Sequence, residues 1–244
     1  MLKHKKNIHI YPSTYEYEPR MFRLAEAINE SSVFDEIIFI GISTETSVFG
    51  EFKKDNVTID RIGTYFNLNY RNKLYRILRF FNWTINIFLK YKSKQLSCIN
   101  CHSLSALPIC LLLKFKTRAH LIYDAHELET ETNTMRGIFK YFAKLLELYS
   151  IRYFDSVIVV SDSIARWYRD TYGIKVLHVI KNVPILRTVD KTQLNSVKFK
   201  LRNIFNIPEN DLLYLHQGRL GDGRGLELIL EAFADNRIKS HIVF

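Results

Sequence analysis

Residues 217–227, QGRLGDGRGLE, carry four glycines and two arginines in eleven positions. An apolar run, LLYLHQG (212–218), leads into them, and a helical pattern, LELILEAFADN (226–236), follows. Strand, glycine loop and helix start, in that order, make a site for phosphate, because the first N–H groups of a helix have no partner inside it. Gly221, Gly223 and Gly225 let the backbone approach a ligand closely and take positive φ. Arg219 and Arg224 add permanent charge and forked donors suited to phosphate oxygens. The loop is not a Walker loop, and the dinucleotide pattern G-x-G-x-x-G is absent. The same residues also fit a tight surface turn with two solvated arginines.

A second group lies in AHLIYDAHE (119–127), where a strand pattern runs into a loop bearing Asp124, His126 and Glu127. A histidine beside acids either serves chemistry or simply caps and pairs. CINCH (98–102) has the C-x-x-C-H spacing of haem attachment, but that chemistry requires export, and the motif ends a buried strand pattern. No second Cys/His pair stands at zinc-ligand spacing. Cys98, Cys101 and Cys110 are therefore read as reduced thiols, with no metal and no cofactor expected.

The elements that must position these residues alternate. Strand patterns fall at 7–12, 36–43, 57–62, 97–100, 119–127, 156–161 and 176–182. Helical patterns fall at 18–30, 70–92, 106–115, 137–153 and 162–172. Met21, Leu24, Ala25 and Ile28, for example, make an i, i+3, i+4, i+7 stripe behind Pro19, a residue tolerated in a first turn. EIIFIGI and SVIVVS are nearly all apolar, as strands covered on both faces should be. The alternation predicts an α/β, doubly wound parallel-sheet (Rossmann-like) domain over 1–190, with ligands at the carboxyl ends of its strands. Residues 191–244 read as a linker, a helix (196–207) and the first βαβ of a second Rossmann-like domain, shorter than the about 100–150 residues of a whole one.

Charge narrows the class of partner. The 244 residues carry a formal net charge of +10 and a pI near 9.4, and 47% are hydrophobic. That is a globular composition suited to anionic ligands. No nucleic-acid signature is present, so nucleic acid is not an expected partner. The apolar run near the N-terminus is shorter than a signal peptide's core, and no window has the roughly 18 apolar residues of a spanning helix. A cytoplasmic chain is expected.

Four segments in register resemble family 4 glycosyltransferases (group 1) of the GT-B fold. LYLHQGRLGDGRGLELILEAF is similar to that family's Gly-Arg … Lys-Gly … Leu-Ile-x-Ala-Phe signature. RAHLIYDAHELE resembles the Tyr-Asp-Ala-His-Glu segment of one branch. FDSVIVVSDSIARWYRDTYGIKVLHVIKNVP resembles the final N-domain strand, helix and Asn-x-Pro exit, and NCHSLSALPICLLLK the unit before it. The resemblance implies a donor diphosphate site at Gly218, Arg219, Gly223, Arg224 and Gly225, with Arg224 standing where lysine is usual. It places His126 near the transferred sugar, with Glu127 beside it and Asp124 orienting the loop or capping. It implies sugar transfer with retention, without an obligatory metal, from a nucleotide-sugar to a glycan or lipid-linked acceptor in cell-surface polysaccharide synthesis. The loop after the first strand, YPSTYEYEPR, has none of the glycines many members carry there; Tyr15, Glu16 and Arg20 are its acceptor-side candidates. The family's paired glutamates, E-x₇-E, belong to a later part of the second domain than this sequence reaches, so little turnover is expected from this chain alone. One half of a split glycosyltransferase, or a non-catalytic module binding membrane or a partner, fits the same length.

The segment 70–94 holds seven basic residues and no acid. Leu74, Ile77, Leu78, Phe81, Ile85 and Phe88 form one stripe, read as facing the core. Phe80, Trp83, Ile87 and Tyr91 form a second, with Arg76, Arg79, Lys90 and Lys94 on the same side. Aromatics among cations suit the headgroups of an anionic membrane, so a peripheral position on the inner face of the cell membrane is one reading. Burial under a neighbouring segment is the other.

Overall fold

The computed structural model describes residues 4–16, 18–43, 51–63, 73–132, 135–183, 200–218, 220–221, 224–234 and 240–243, with only the backbone at 51–54 and 73. The chain divides into two compact units, Met1–Asn182 and Val183–Phe244.

The first unit is built on β1 (Lys6–Ile10), β2 (Glu36–Ile42), β3 (Glu51–Lys54), β4 (Val57–Ile62), β5 (Cys98–Cys101), β6 (His120–Ala125), β7 (Ser156–Val159) and β8 (Leu177–Val179). They form one sheet in the order β3-β4-β2-β1-β5-β6-β7-β8. Every neighbouring pair is parallel except β3 with β4. The short edge strand β3, EFKK, has no apolar run and no alternation for a sequence pattern to catch. The helices are α1 (Pro19–Glu30), α2 (Lys73–Tyr91), α3 (Leu107–Thr117), α4 (Gly137–Ile151) and α5 (Asp162–Tyr172).

Strand alternation sorts the core into two layers. Ile8, Ile10, Ile38, Ile40, Ile99, Leu121, Tyr123 and Val157 join residues of α2, α3, α4 and α5 in one cluster. Ile37, Phe39 and Ile59 point the other way and meet Met21 and Ala25 of α1. Helix ends follow local chemistry. The Ser161 hydroxyl accepts the Ile164 N–H at 3.3 Å to open α5, and Gly173 closes it at φ 64°.

The two faces of α2 are the reverse of the expected ones. Trp83, Ile87 and Tyr91 are buried and Phe80 packs beside them, so these four do not present a membrane surface. Of the six residues read as the core stripe, Leu74, Ile77, Leu78, Phe81 and Ile85 are exposed, and Phe88 packs against the core as expected. The polar handles of the aromatics explain the choice. Trp83 Nε1 donates to the Gly41 carbonyl at 2.9 Å, and the Tyr91 hydroxyl donates to Asp60 at 2.6 Å. A Leu/Ile/Phe stripe could not satisfy those buried acceptors. The cations are also engaged: Arg79 donates to the Ser43 carbonyl at 2.7 Å, and Lys90 lies 2.8 Å from Asp60. Arg76 and Lys94 are exposed. No described helix is long and apolar enough to cross a membrane.

The second unit contains a helical turn at 200–204, β9 (Leu212–Leu215), α6 (Leu226–Ala234) and β10 (Ser240–Val243). The two strands pair in parallel, as a βαβ unit requires. The predicted helix over 196–207 lies partly outside the described residues.

Candidate functional site

The first unit's sheet reverses its direction of growth at β1. The chain builds outward through β2 and β4, then returns to lay β5 against the other side of β1. Loops leave the carboxyl ends of β1 and β5 in opposite directions, and the crevice between them is where such sheets bind ligands.

Three histidines meet at this point. His9 lies within β1 on the α1 side, because Ile8 and Ile10 take the other face. His102 follows β5 directly, its N–H held by the Ile10 carbonyl at 3.1 Å. His126 follows β6, which also carries Asp124 on the α1 face. His9 Nδ1 stands 2.9 Å from His102 Nε2, and His102 Nδ1 stands 3.2 Å from both Asp124 Oδ2 and His126 Nε2. Arg20 of α1 closes the network, its Nη2 2.7 Å from Asp124 Oδ1.

The proton positions follow from Asp124. Burial alone would raise its pKa, but hydrogen bonds from His102 and His126 and their charge hold it well below the usual carboxylate range. An ionised carboxylate only accepts. His102 therefore donates from Nδ1, which makes its Nε2 the acceptor for His9 Nδ1–H. Burial, first, and the neighbouring His102 hold His9 neutral by pushing its pKa well down. Burial likewise lowers His102, against the pull of Asp124. His126 Nε2 stands 3.5 Å from the same Asp124 Oδ2 and 3.2 Å from His102 Nδ1, so both rings converge on one carboxylate. The His126 ring is part-exposed, so it is available to a ligand.

His102, Asp124 and His126 each offer one atom within 4.8 Å of one another, a spacing that could hold a cation. Arg20 already supplies the positive charge that Asp124 attracts there.

The other first-unit candidates divide. Arg20 belongs to the network. Tyr15 is buried at φ 59°, its ring against Phe39, so it shapes the loop from inside. A Cβ at Gly41 of β2 would meet the Ser13 carbonyl at 2.5 Å and the Tyr15 ring at 2.8 Å. The close approach that glycines would allow in the loop is made here by a glycine of the neighbouring strand. Glu16 and Glu127 are exposed. Glu129, two residues past Glu127, is half-buried. It accepts the Leu104 N–H at 2.8 Å, and burial pushes its pKa up to about 7. His9 carries no sequence signal and His102 shows only as the end of CINCH, because only strand order brings them to His126; Glu129 lies in the same loop as His126. Tyr11, next to the network, lies 5.5 Å from the His126 ring.

In the second unit, Gly225 has φ 70° and its carbonyl accepts the Ile229 N–H at 3.1 Å, so it opens α6 as a helix start after a glycine loop does. Gly218 and Arg224 are exposed. Arg219 and Gly223 lie outside the described residues.

A doubly wound sheet with a polar site at its switch point defines the ligand-binding α/β class. The family model of Glycosyltransferase Family 4 matches residues 38–183, and the chain belongs to that family. No curated protein matches it by sequence. Among solved structures it is similar to sucrose-phosphate synthase from Thermosynechococcus elongatus, with a TM-score of 0.74 at 12% identity over 98% of this chain and 61% of that one. It is similar to Anabaena HepE in complex with UDP-glucose, with a TM-score of 0.63 at 14% identity over 97% of this chain and 59% of that one. It is also similar to the lipopolysaccharide outer core galactosyltransferase WaaB, with a TM-score of 0.53 at 13% identity over 97% and 59%. These likenesses establish the GT-B-type α/β fold, of which the chain spans about three fifths.

Proposed function

We propose that this chain is the acceptor-side domain and the first phosphate loop of a glycosyltransferase that moves a sugar, with retention, from a nucleotide-sugar to a glycan or lipid-linked acceptor in cell-surface polysaccharide synthesis. The observation that carries this reading is the His9–His102–Asp124–His126 chain at the switch point. It ends in a part-exposed imidazole held beside a buried carboxylate. His126 hydrogen-bonds a hydroxyl of the transferred sugar, and His102, Asp124 and Arg20 keep its ring in place. Glu127 stands at the rim of the same loop. Gly218, Arg219, Gly223, Arg224 and Gly225 hold the diphosphate. As the glycosidic bond breaks, negative charge gathers on the leaving nucleoside diphosphate, and the arginines and the start of α6 stabilise it where it develops. No cofactor takes part. The HepE complex with UDP-glucose and the sugar-transfer names of the other neighbours support this donor class.

The test is nucleoside diphosphate release from a panel of nucleotide-sugars, in a form of the protein carrying the whole second domain. Arg224→Ala should lose about a hundredfold in kcat with unchanged circular dichroism. Turnover equal to the parent's would reject the assignment of the loop.

A further inference from the structure

We propose that His102, Asp124 and His126 form a binding site for a zinc ion. Their facing atoms make a closed triangle. His102 Nδ1 stands 3.2 Å from Asp124 Oδ2 and 3.2 Å from His126 Nε2, and His126 Nε2 stands 3.5 Å from the same Oδ2. Zinc holds four ligands in a tetrahedron at about 2.0–2.1 Å, which sets neighbouring ligand atoms about 3.3 Å apart. All three sides match that spacing. Hydrogen bonds alone leave the triangle incompletely satisfied. The carboxylate, paired through Oδ1 with Arg20, is ionised and brings no proton, and each facing nitrogen brings at most one. Two protons set one N–H against the other, and a single proton leaves a nitrogen lone pair facing the carboxylate or the other ring unshared. A cation at the centre meets three lone pairs at once. Among the described residues no other three His, Cys, Asp or Glu side chains come close enough to share an ion.

Two of the ligands are held from behind. His102 Nε2 lies 2.9 Å from His9 Nδ1, and Asp124 Oδ1 lies 2.7 Å from Arg20 Nη2, so each has a partner that fixes its orientation. With zinc on Nδ1, the His102 proton sits on Nε2 and is donated to His9, whose own proton moves to its Nε2, and every ring stays neutral. Arg20 balances the charge of Asp124. That favours a metal bound through imidazole over magnesium or calcium, which need several oxygen ligands. His102 and Asp124 are buried, whereas the His126 side chain is 19% exposed. The ion therefore enters on the His126 side and keeps its fourth position for water or a ligand oxygen. His102 follows β5 and the other two residues end β6, so no spacing in the sequence displays the set. One consequence rests on the transfer reading above: zinc engages the ring assigned to the sugar, and so inhibits transfer.

The experiment is calorimetric titration of the 244-residue chain, freed of metal and of any affinity tag, with zinc, and with cobalt as a coloured stand-in whose absorption reports tetrahedral ligation. No nucleotide-sugar is present, so the outcome is independent of the transfer reaction. One equivalent of zinc should bind, and magnesium should not. H126A, at a part-exposed position, and D124N, which keeps the volume, should each lower the affinity roughly tenfold or more with unchanged circular dichroism. H4Q combined with H120Q removes histidines outside the cluster and should leave it unchanged. No zinc binding overturns the proposal, as does binding that H126A and D124N leave unchanged. In the form carrying the whole second domain, zinc should slow nucleoside diphosphate release and a chelator should restore it. Zinc bound at the cluster without slower release keeps the metal site and rejects the contact between His126 and the sugar.

Discussion

At the scale of single residues, the site couples protonation to folding. His9 and His102 are neutral in the fold because burial opposes their charge. Below about pH 6.5 the unfolded chain binds protons at both rings that the folded chain refuses, so acidification costs stability. Glu129 works in the opposite sense. With its pKa at about 7, the fold keeps a proton there that the unfolded chain releases above about pH 4.3. One gain offsets one of two losses between about pH 6.5 and 5. The net effect of these three groups is a loss of stability on acidification, smaller than the two histidines alone would give. Asp124, depressed by its partners, adds its own loss only below about pH 4. Denaturant melts from pH 7 to 5 measure this. Glu129→Gln should steepen the slope toward two protons, and an unchanged slope would show that Glu129 is ionised in the fold.

At the scale of elements, α4 and α5 are joined by one buried carboxylate. Glu147 of α4 accepts from the Tyr123 hydroxyl at 3.0 Å, Tyr168 at 2.7 Å and Tyr172 at 2.6 Å, linking β6, α4 and α5. Glu147→Ala would orphan three phenol donors and open a cavity, at about 3–5 kcal/mol. Glu147→Gln keeps an acceptor and the volume and should lose less. Urea unfolding separates the two, and equal losses would mean that packing alone sets the cost. The β1–α1 loop shows the same dependence between elements: the Ser13 carbonyl accepts the Ile42 N–H at 3.0 Å, and Arg61 of β4 donates to the Thr14 carbonyl at 2.7 Å. The conformation of that loop is therefore set by strands distant in sequence.

At the scale of the whole molecule, the two units differ in how much they bury. β1, β2, β5 and β6 are covered on both faces, whereas α6 has no buried residue and β9 and β10 pair only with each other among the described residues. No residue of β9, α6 or β10 is buried, and local opening costs least where least apolar surface is buried. Native-state hydrogen exchange should therefore find the amides of β9 and β10 at least a hundredfold less protected than those of β1 and β5. Equal protection would show that the second unit is stabilised beyond the contacts within it.

The sequence alone was enough for the order of every strand and helix of the first unit except β3, the parallel class, the glycine loop before α6 and the candidacy of His126. Each of these is local: periodicity, a cap or a short motif carries it. The resemblance rested on the same local segments. Only the tertiary structure could decide which stripe of α2 faces the core, because two stripes at helical spacing are equivalent until Gly41 and Asp60 present acceptors that only Trp83 and Tyr91 can reach. It also decided the membership of the site. His9 and His102 stand 93 residues apart in sequence and 2.9 Å apart in space because β5 returns to lie against β1. Side-chain period says which residues share a face; the order in which strands pair says which faces, and which residues, meet.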